Sequence, residues 1–519
     1  MKKTITMFAA AILLIFLSCQ NTPKEKTTPI KPNIIYILAD DLSYRDLSCY
    51  GQLEFETPNI DQLVAKGVRF TQAYAGAPEC APSRGTLLTG LHAGHAPIRI
   101  NSSARGQDFI PDSVITVAEV LKNAGYSTGF VGKWGVGLPG TEGVPHKQGF
   151  DFAFGFYDQG RAHTYFPFYL IENGKKIEYP GNYQFDMQRR YDMNASHEDF
   201  LLNKYDENGK LVLSELDDQS KAVYSQNEID NAAFRFLNEN GQGEQPFFLY
   251  YATQLPHGPV IIDDLGDMKN NQKLPQRQKE WAAMVIRLDS FVEELVAQLK
   301  KLDQYENTII FFSSDNGYSM CGYMGRGNAN TNWPDDPFLK NKGPFRGGKF
   351  SALEGGIRVP FFVSAPKYFK PQTISDPVWL VDFFSTAADI AGINVPRHTD
   401  GNSLLPLIQF GDKTQFENRP MYFYKDTEQA VRMGSWKAYR ESPQSKMELY
   451  LIEEDVHSDR DLSKFYPEVV KQIDSIMSAE HENHAWYRNP WETPEEYKMK
   501  IKKAKESGTL QISTRPNGL

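Results

Sequence analysis

A chain of 519 residues exceeds one typical domain and can bury a large core, so one large domain with a smaller companion is expected. Its 56 basic and 65 acidic residues give a formal charge of -9 with no basic stripe, which speaks against a nucleic-acid partner. Aromatic residues at 13% suit a packed enzyme and a sugar-stacking surface equally.

Lys2 and Lys3 open the chain as a basic n-region, and TMFAAAILLIFLSC follows as an apolar stretch too short for a comfortable membrane span. Ser18 before Cys19 resembles a bacterial lipobox, with an ordinary cleaved signal peptide as the alternative. The lipobox makes residues 1–19 a signal peptide and 20–31 a polar, Pro-bearing tether. An exported lipoprotein is expected, periplasmic or at the cell surface, held to the membrane only by a lipid on Cys19. Cys49, Cys80 and Cys321 then remain, an odd number without the spacing of a disulfide framework or a zinc site.

PNIIYILADD is a continuous apolar run, as a strand covered on both faces requires, and it ends in Asp40-Asp41. TPNIDQLVAKGVRF predicts a helix capped by Thr57 with Pro58 in its first turn. CAPSRGTLLTG predicts a helix start with Cys80 at its N-terminus, where anions are favoured. TVAEVLKNAG predicts a helix with a Thr116/Glu119 capping box and Gly125 as terminator. YSTGFVGKWG reads as a strand leading to Lys133, and QPFFLYYATQLPHGP as one leading to His257. Apolar residues at 281, 284, 285, 288, 292, 295 and 299 form a helical stripe. NTIIFFSSDNG is again a strand, ending in Asp315-Asn316.

This alternation predicts an α/β fold: a large, doubly wound, mostly parallel sheet domain over 32–375. From 376 to 519 short β-like runs and turns predict a smaller antiparallel-sheet subdomain, followed by a helix in PEVVKQIDSIMSAEHE. In doubly wound sheets ligands sit outside the carboxyl ends of the strands, and four strand ends here carry polar residues to that edge. Asp40, Asp41, Asp315 and Asn316 offer only oxygen, which suits calcium or magnesium better than zinc. Lys133, Lys349, Arg84 and His257 add cations, and with a divalent metal they favour a sulfate or phosphate ester. Lys349 lies in FRGGKFSALEGGIRVP, whose glycines permit close backbone approach.

A Cys80 thiolate is conceivable at a helix N-terminus, but beside a hard cation an oxygen nucleophile fits better. Cys80-Ala81-Pro82-Ser83-Arg84 resembles the Cys-x-Pro-Ser-Arg signature of type I sulfatases, the formylglycine-dependent branch of the alkaline phosphatase superfamily. The resemblance spans roughly 32 to 480 and includes the leading Asp-Asp, TGLHAGH, GKWG, Pro256-His257, SSDNG and Lys349. It implies that a formylglycine-generating enzyme oxidises Cys80 to an aldehyde, whose hydrate attacks sulfur and then releases sulfate by C–O cleavage. It implies a calcium ion held by Asp40, Asp41, Asp315, Asn316 and the hydrated residue 80. Arg84 would steady residue 80, Lys133 and Lys349 would bind sulfate oxygens, and His257, with or without Lys349, would protonate the leaving hydroxyl.

The family's common Gly-Lys-Trp-His reads Gly-Lys-Trp-Gly here, so Gly135 lacks the histidine that aids sulfate release. His163, in RAHTYFPFY, is the expected replacement. Arg161, His163, Arg326 and Trp333 are the substrate-side candidates, because their segments mix aromatic and charged groups. A sulfated glycan is the expected substrate. The competing functions are a phosphate or phosphonate monoester hydrolase, and a lipoprotein that binds sulfated glycan without turnover.

Overall fold

The computed structural model describes residues 31–184, 204–214, 216–319, 343–395 and 397–510. Arg326, Trp333, Cys321, Cys19 and the leader segment therefore lie outside the described residues. In chain order the strands are β1 (Asn33–Ala39), β2 (Val68–Phe70), β3 (Ala73–Tyr74), β4 (Ser127–Lys133), β5 (Phe152–Phe156), β6 (Tyr169–Glu172), β7 (Lys175–Glu178) and β8 (Phe247–Ala252). They continue as β9 (Thr308–Ser314), β10 (Phe361–Ser364), β11 (Gln372–Ile374), β12 (Val378–Trp379), β13 (Met421–Lys425), β14 (Glu428–Met433), β15 (Trp436–Arg440) and β16 (Glu448–Leu451).

Ten strands form one sheet in the order β11-β2-β10-β9-β1-β8-β4-β5-β6-β7. The centre, β9-β1-β8-β4-β5, is parallel throughout. The flanks are mixed: β10 runs antiparallel to both neighbours, and β6 and β7 form an antiparallel margin. A smaller sheet, β13-β14-β15-β16, is an antiparallel meander. The expected architecture is thus present, with antiparallel flanks added to the large sheet.

The unbroken apolar run of β1 has a direct cause. Ile35, Ile37 and Ala39 enter one core while Ile34, Tyr36 and Leu38 enter another, so neither face of the strand meets water. The helices are α1 (Pro58–Ala65), α2 (Cys80–Thr89), α3 (Val117–Asn123), α4 (Ser225–Asn240), α5 (Gln276–Lys301), α6 (Glu354–Ile357), α7 (Asp382–Ile390), α8 (Leu405–Phe410), α9 (Pro467–Ala479) and α10 (Pro494–Glu506). α5 buries its predicted stripe, Trp281 through Leu299, in the first core together with α4. Leu87 and Leu88 of α2 join α3 and α7 in the second. The small sheet packs with Ile473 and Met477 of α9 against Ala77 and Ala93, which bracket α2 in sequence.

Two local expectations need correction. The segment TPNIDQLVAKGVRF is helical only to Ala65, and its last residues, Val68–Phe70, are strand β2. Gly67 makes the break: a Cβ there would lie 2.4 Å from the Val363 carbonyl oxygen, so the chain turns against the neighbouring strand. Thr57 also does not cap through its side chain, because its Oγ1 accepts the Ser48 N–H at 3.0 Å instead. The Thr116/Glu119 capping box is present as read.

Candidate active site

The four central strands end side by side, and their carboxyl ends deliver the polar residues together. Asp40 and Asp41 follow β1, Lys133 closes β4, Asp315 and Asn316 follow β9, and His257 lies five residues beyond β8. Adjacent parallel strands in register converge their exits, which is why residues this far apart in sequence meet. Asp41 holds φ at +65°, left-handed backbone that an aspartate tolerates and that functional sites retain.

α2 brings Cys80 and Arg84 to the same place. The Ala81 N–H, in the first turn of α2, donates to Asn101 Oδ1 at 2.9 Å. Cys80 Sγ lies 3.5 Å from Asp40 Oδ1. Both described cysteines, Cys49 and Cys80, are free thiols. Burial pushes the Cys80 thiol well above its ordinary range, only partly offset by Lys133 and Lys349, so it is protonated rather than a ready thiolate.

The charges interlock. Arg84 donates through Nε (3.0 Å) and Nη2 (2.8 Å) to Asp315 Oδ2, and through Nη1 to the Lys133 carbonyl at 2.7 Å. Lys133 Nζ is 2.5 Å from Asp40 Oδ2. Lys349 Nζ is 2.6 Å from Asp41 Oδ1 and 3.2 Å from His257 Nε2. Lys349 reaches this point because Gly355 and Gly356, in the short helix α6, let the backbone of 346–351 pack directly against theirs. A Cβ on Gly356 would sit 2.1 Å from the Ser351 carbonyl oxygen. The Phe350 N–H donates to the Pro78 carbonyl at 2.8 Å, which ties the lysine's loop to the segment before Cys80.

Three carboxylates and three permanent cations are all but fully buried here, so each charge depends on its partners. Burial raises the Asp41 carboxyl, and the Lys349 ammonium beside it more than offsets this, holding it below the usual carboxylate range. Burial and the neighbouring Asp40 raise Asp315, against Arg84. Burial pushes His257 down to about 3. His257 Nδ1 faces the Gly258 carbonyl, so Nδ1 carries the hydrogen and Nε2 accepts from Lys349. The proton expected on His257 thus resides on Lys349, which Asp41 holds well above the ordinary lysine range despite its burial.

Asp40, Asp41, Cys80 and His257 each offer an atom, all within 4.8 Å of one another, a set that joins carboxylate oxygens to one sulfur and one nitrogen. The oxygens around it are what a hard cation uses. Asp41 Oδ2 has no hydrogen-bond donor, and its neighbour His257 Nε2, at 3.4 Å, is itself an acceptor. Asn316 Oδ1 is likewise buried without a donor, while its Nδ2 donates to Asp41 Oδ1 at 2.7 Å. Buried oxygen acceptors without donors are what a divalent cation satisfies.

His163 does not fill the space beside Gly135. Its ring stacks on His257 with centroids 4.2 Å apart and planes 12° from parallel, and burial and His257 push it well below the ordinary histidine range. The atoms nearest an added Cβ at Gly135 belong to Gln159 and Arg84. Gln159 was missed because the glycine marks an empty place and says nothing of what a distant loop puts there. Arg161 lays its guanidinium over the Tyr169 ring, 4.7 Å from the centroid, on the same loop.

An α/β sheet whose strand exits gather an acidic cluster able to hold a metal, two lysines and a buried cysteine has the arrangement of a hydrolase of the alkaline phosphatase-like superfamily. The sulfatase family model matches residues 32–393, and the model for the C-terminal part of N-sulphoglucosamine sulphohydrolase matches 348–475. The chain is 32% identical to N-acetylgalactosamine-6-sulfatase of Canis lupus familiaris over 79% of this chain and 72% of that one. It is 29% identical to N-acetylgalactosamine-6-O-sulfatase of Bacteroides thetaiotaomicron over 86% and 93%. Among solved structures, Ps i-CgsB in complex with k-i-k-neocarrahexaose superposes with a TM-score of 0.70 at 29% identity, covering 93% of this chain and 100% of that one. The chain belongs to the sulfatase family and is a sulfuric ester hydrolase.

Proposed function

We propose that this sulfatase removes sulfate from a sulfated carbohydrate, acting through residue 80 after its conversion to formylglycine. The observation that carries the reading is the contact of Cys80 with Asp40 inside a cage of Arg84, Lys133 and Lys349. That cage pairs an anion-binding wall with a buried group that is a poor nucleophile as a thiol. The names of its relatives support a sugar sulfate, since they include N-acetylgalactosamine-6-sulfatases, and a solved neighbour is a complex with k-i-k-neocarrahexaose. Formylglycine, made by a maturation enzyme, supplies a hydrated oxygen nucleophile that a serine or thiol cannot match. Asp40, Asp41, Asp315 and Asn316 would hold calcium, which when bound would supply Lewis-acid polarisation of a sulfate oxygen.

The remaining work falls to this chain's side chains. Lys133 and Lys349 neutralise the sulfate oxygens as charge gathers there. Arg84 holds Asp315 and the end of β4 in register beneath residue 80. Lys349 carries the proton for the leaving sugar hydroxyl and donates it directly, while His257 Nε2, 3.2 Å away, accepts from the same ammonium and orients it. His163 stacks behind His257 and fixes its ring. Arg161, Arg326 and Trp333 are assigned to the sugar side. The catalytic domain extends past 375 to take in α7, which packs in the second core of the large sheet, and the small sheet β13–β16 follows it. The chain is exported and lipid-anchored through Cys19, so Cys19→Ala releases it from the membrane fraction.

The test is sulfate release from sulfated mono- and oligosaccharides, including 6-sulfated N-acetylgalactosamine and carrageenan fragments, by protein co-expressed with a formylglycine-generating enzyme. Release that disappears in Cys80→Ser and after chelation is expected. Binding without release, undiminished in Cys80→Ser, overturns the reading in favour of a glycan-binding protein. Preferential release of phosphate from the matching phosphate esters makes the enzyme a phosphomonoesterase.

A further inference from the structure

Besides Asp41 Oδ2, Asn316 Oδ1 and His163 Nε2, a further buried polar group near the cage, at Gly135, has no hydrogen-bond partner in the protein. Both side-chain polar atoms of Gln159, Oε1 and Nε2, are buried without one, in a residue only 6% exposed. An unpaired buried carboxamide costs stability and persists where a ligand satisfies it. The loop fixes this side chain from behind. The Gln159 N–H donates to Gln107 Oε1 at 2.7 Å, and Asp158 Oδ1 accepts from the Gly160 and Arg161 N–H groups at 2.7 and 3.1 Å. The next turn of the loop is tied to the His257 turn, where Gln254 Nε2 donates to the Ala162 carbonyl at 3.0 Å.

The amide's position is the second observation. A Cβ built on Gly135 would lie 2.4 Å from Gln159 Oε1 and 3.9 Å from Arg84 Cδ. Gly135 follows Lys133 by two residues, and Arg84 donates to the Lys133 carbonyl. The Gln159 carboxamide therefore sits in the side-chain space of residue 135, against the Arg84–Lys133 wall. Arg84, Lys133 and Lys349 already balance Asp40, Asp41 and Asp315, so a neutral amide adds a donor there without changing the charge of the cage.

We propose that Gln159 is a substrate-binding residue of this site, donating from Nε2 to an oxygen of the bound sulfate group from the position that a side chain at 135 would hold. The proposal rests on the sulfatase reading above and deepens it. It makes Gly135 a necessary companion: any larger residue there would displace the amide. It also predicts a transplant. In an asparagine, Cβ and the amide oxygen are about 2.4 Å apart by bond lengths, the separation found between the built Cβ and Gln159 Oε1. Asparagine also tolerates the φ of +77° at Gly135. Gly135→Asn combined with Gln159→Ala thus returns a carboxamide to that space from residue 135.

The experiment uses the full chain with calcium and inorganic sulfate as probe. The dissociation constant of sulfate is read from the rise of the melting temperature with sulfate concentration, alongside kcat and KM for the best substrate. Gln159→Leu, near in volume but unable to donate, is expected to weaken sulfate binding and lower kcat/KM by about ten- to a hundredfold. Gln159→Ala follows it, and the Gly135→Asn/Gln159→Ala protein regains at least part of the loss. Sulfate affinity, kcat and KM unchanged in both Gln159→Leu and Gln159→Ala overturn the proposal while wild-type turnover leaves the sulfatase reading standing. A fall in melting temperature without sulfate, equal sulfate affinity and no recovery on transplant make Gln159 a packing residue and also overturn it. A wild type that neither binds sulfate nor releases it fails the sulfatase reading itself.

Discussion

Lys133 Nζ and Asp40 Oδ2 lie 2.5 Å apart, with neither side chain exposed to solvent. Such a pair persists only through its partners, and removing one member leaves a buried charge at a cost of about 3–5 kcal/mol. Lys133→Met is therefore expected to lose melting temperature when calcium is chelated, because Asp40 then keeps only longer contacts, to Arg84 and to the Cys80 thiol, each at 3.5 Å. Adding calcium restores much of that stability, since the cation replaces the ammonium as partner. Activity does not return with it, falling roughly a hundredfold or more as an oxyanion-side charge is lost. A melting temperature insensitive to both the substitution and chelation would show that the pair contributes nothing to the cage.

The donor-free oxygens of Asp41 and Asn316 make a prediction about the metal. A ligand that binds only the folded chain adds about 2.7 kcal/mol at a concentration a hundredfold above its dissociation constant. Calcium should raise the melting temperature of the wild type, and less so that of Asp41→Asn, which offers one charged oxygen fewer. Zinc at equal concentration should do less in protein whose Cys80 has been converted, because oxygen donors then predominate. Calorimetric melts with each ion decide the matter, and equal effects of both ions would contradict the assignment.

The cage was legible in the sequence because chemistry and topology agree there. Apolar strands that end in Asp, Lys, His and Asn mark one edge of a parallel sheet, and β9, β1, β8 and β4 are in fact neighbours. What escaped depends on loops and on contacts across the fold. The strand character of Val68–Phe70 comes from pairing with β10 and β11, which no local pattern announces. Gly135 was visible as a missing side chain, yet its occupant comes from the loop after β5, whose course depends on the Asp158 turn and the Gln107 contact. The protonation order of Lys349 and His257 was equally hidden, because it follows from burial and from the Gly258 carbonyl facing Nδ1.

That order yields a test of the proton donor. Lys349→Met removes both the proton and the partner of Asp41, so turnover should collapse for every substrate. His257→Gln keeps an acceptor for Lys349 but changes the aim of its ammonium, and should spare substrates with good leaving groups. The ratio of activity on an aryl sulfate to activity on a sugar sulfate is expected to rise at least tenfold in His257→Gln. An unchanged ratio would take His257 out of leaving-group protonation.

Away from the site, Asp230 supports the strand that leads to His257. It accepts from Tyr251 of β8 at 2.5 Å and from Gln226 at 2.7 Å, and it pairs with Arg287 of α5. Burial raises its carboxyl to about 6, with Arg287 offsetting only part of the effect. The sign follows from proton binding. Between the ordinary aspartate range and pH 6 the folded chain holds more protons at Asp230 than the unfolded chain does. Stability therefore falls as pH rises through that window, and the penalty is fully present above it, on the order of 2–3 kcal/mol. Asp230→Asn lacks that titration, so its stability relative to wild type should improve from pH 4 to pH 7 by a comparable amount. Denaturant melts of both proteins at the two pH values measure this difference directly. A difference independent of pH would mean that Asp230 stays ionised throughout, with Arg287 as the dominant partner.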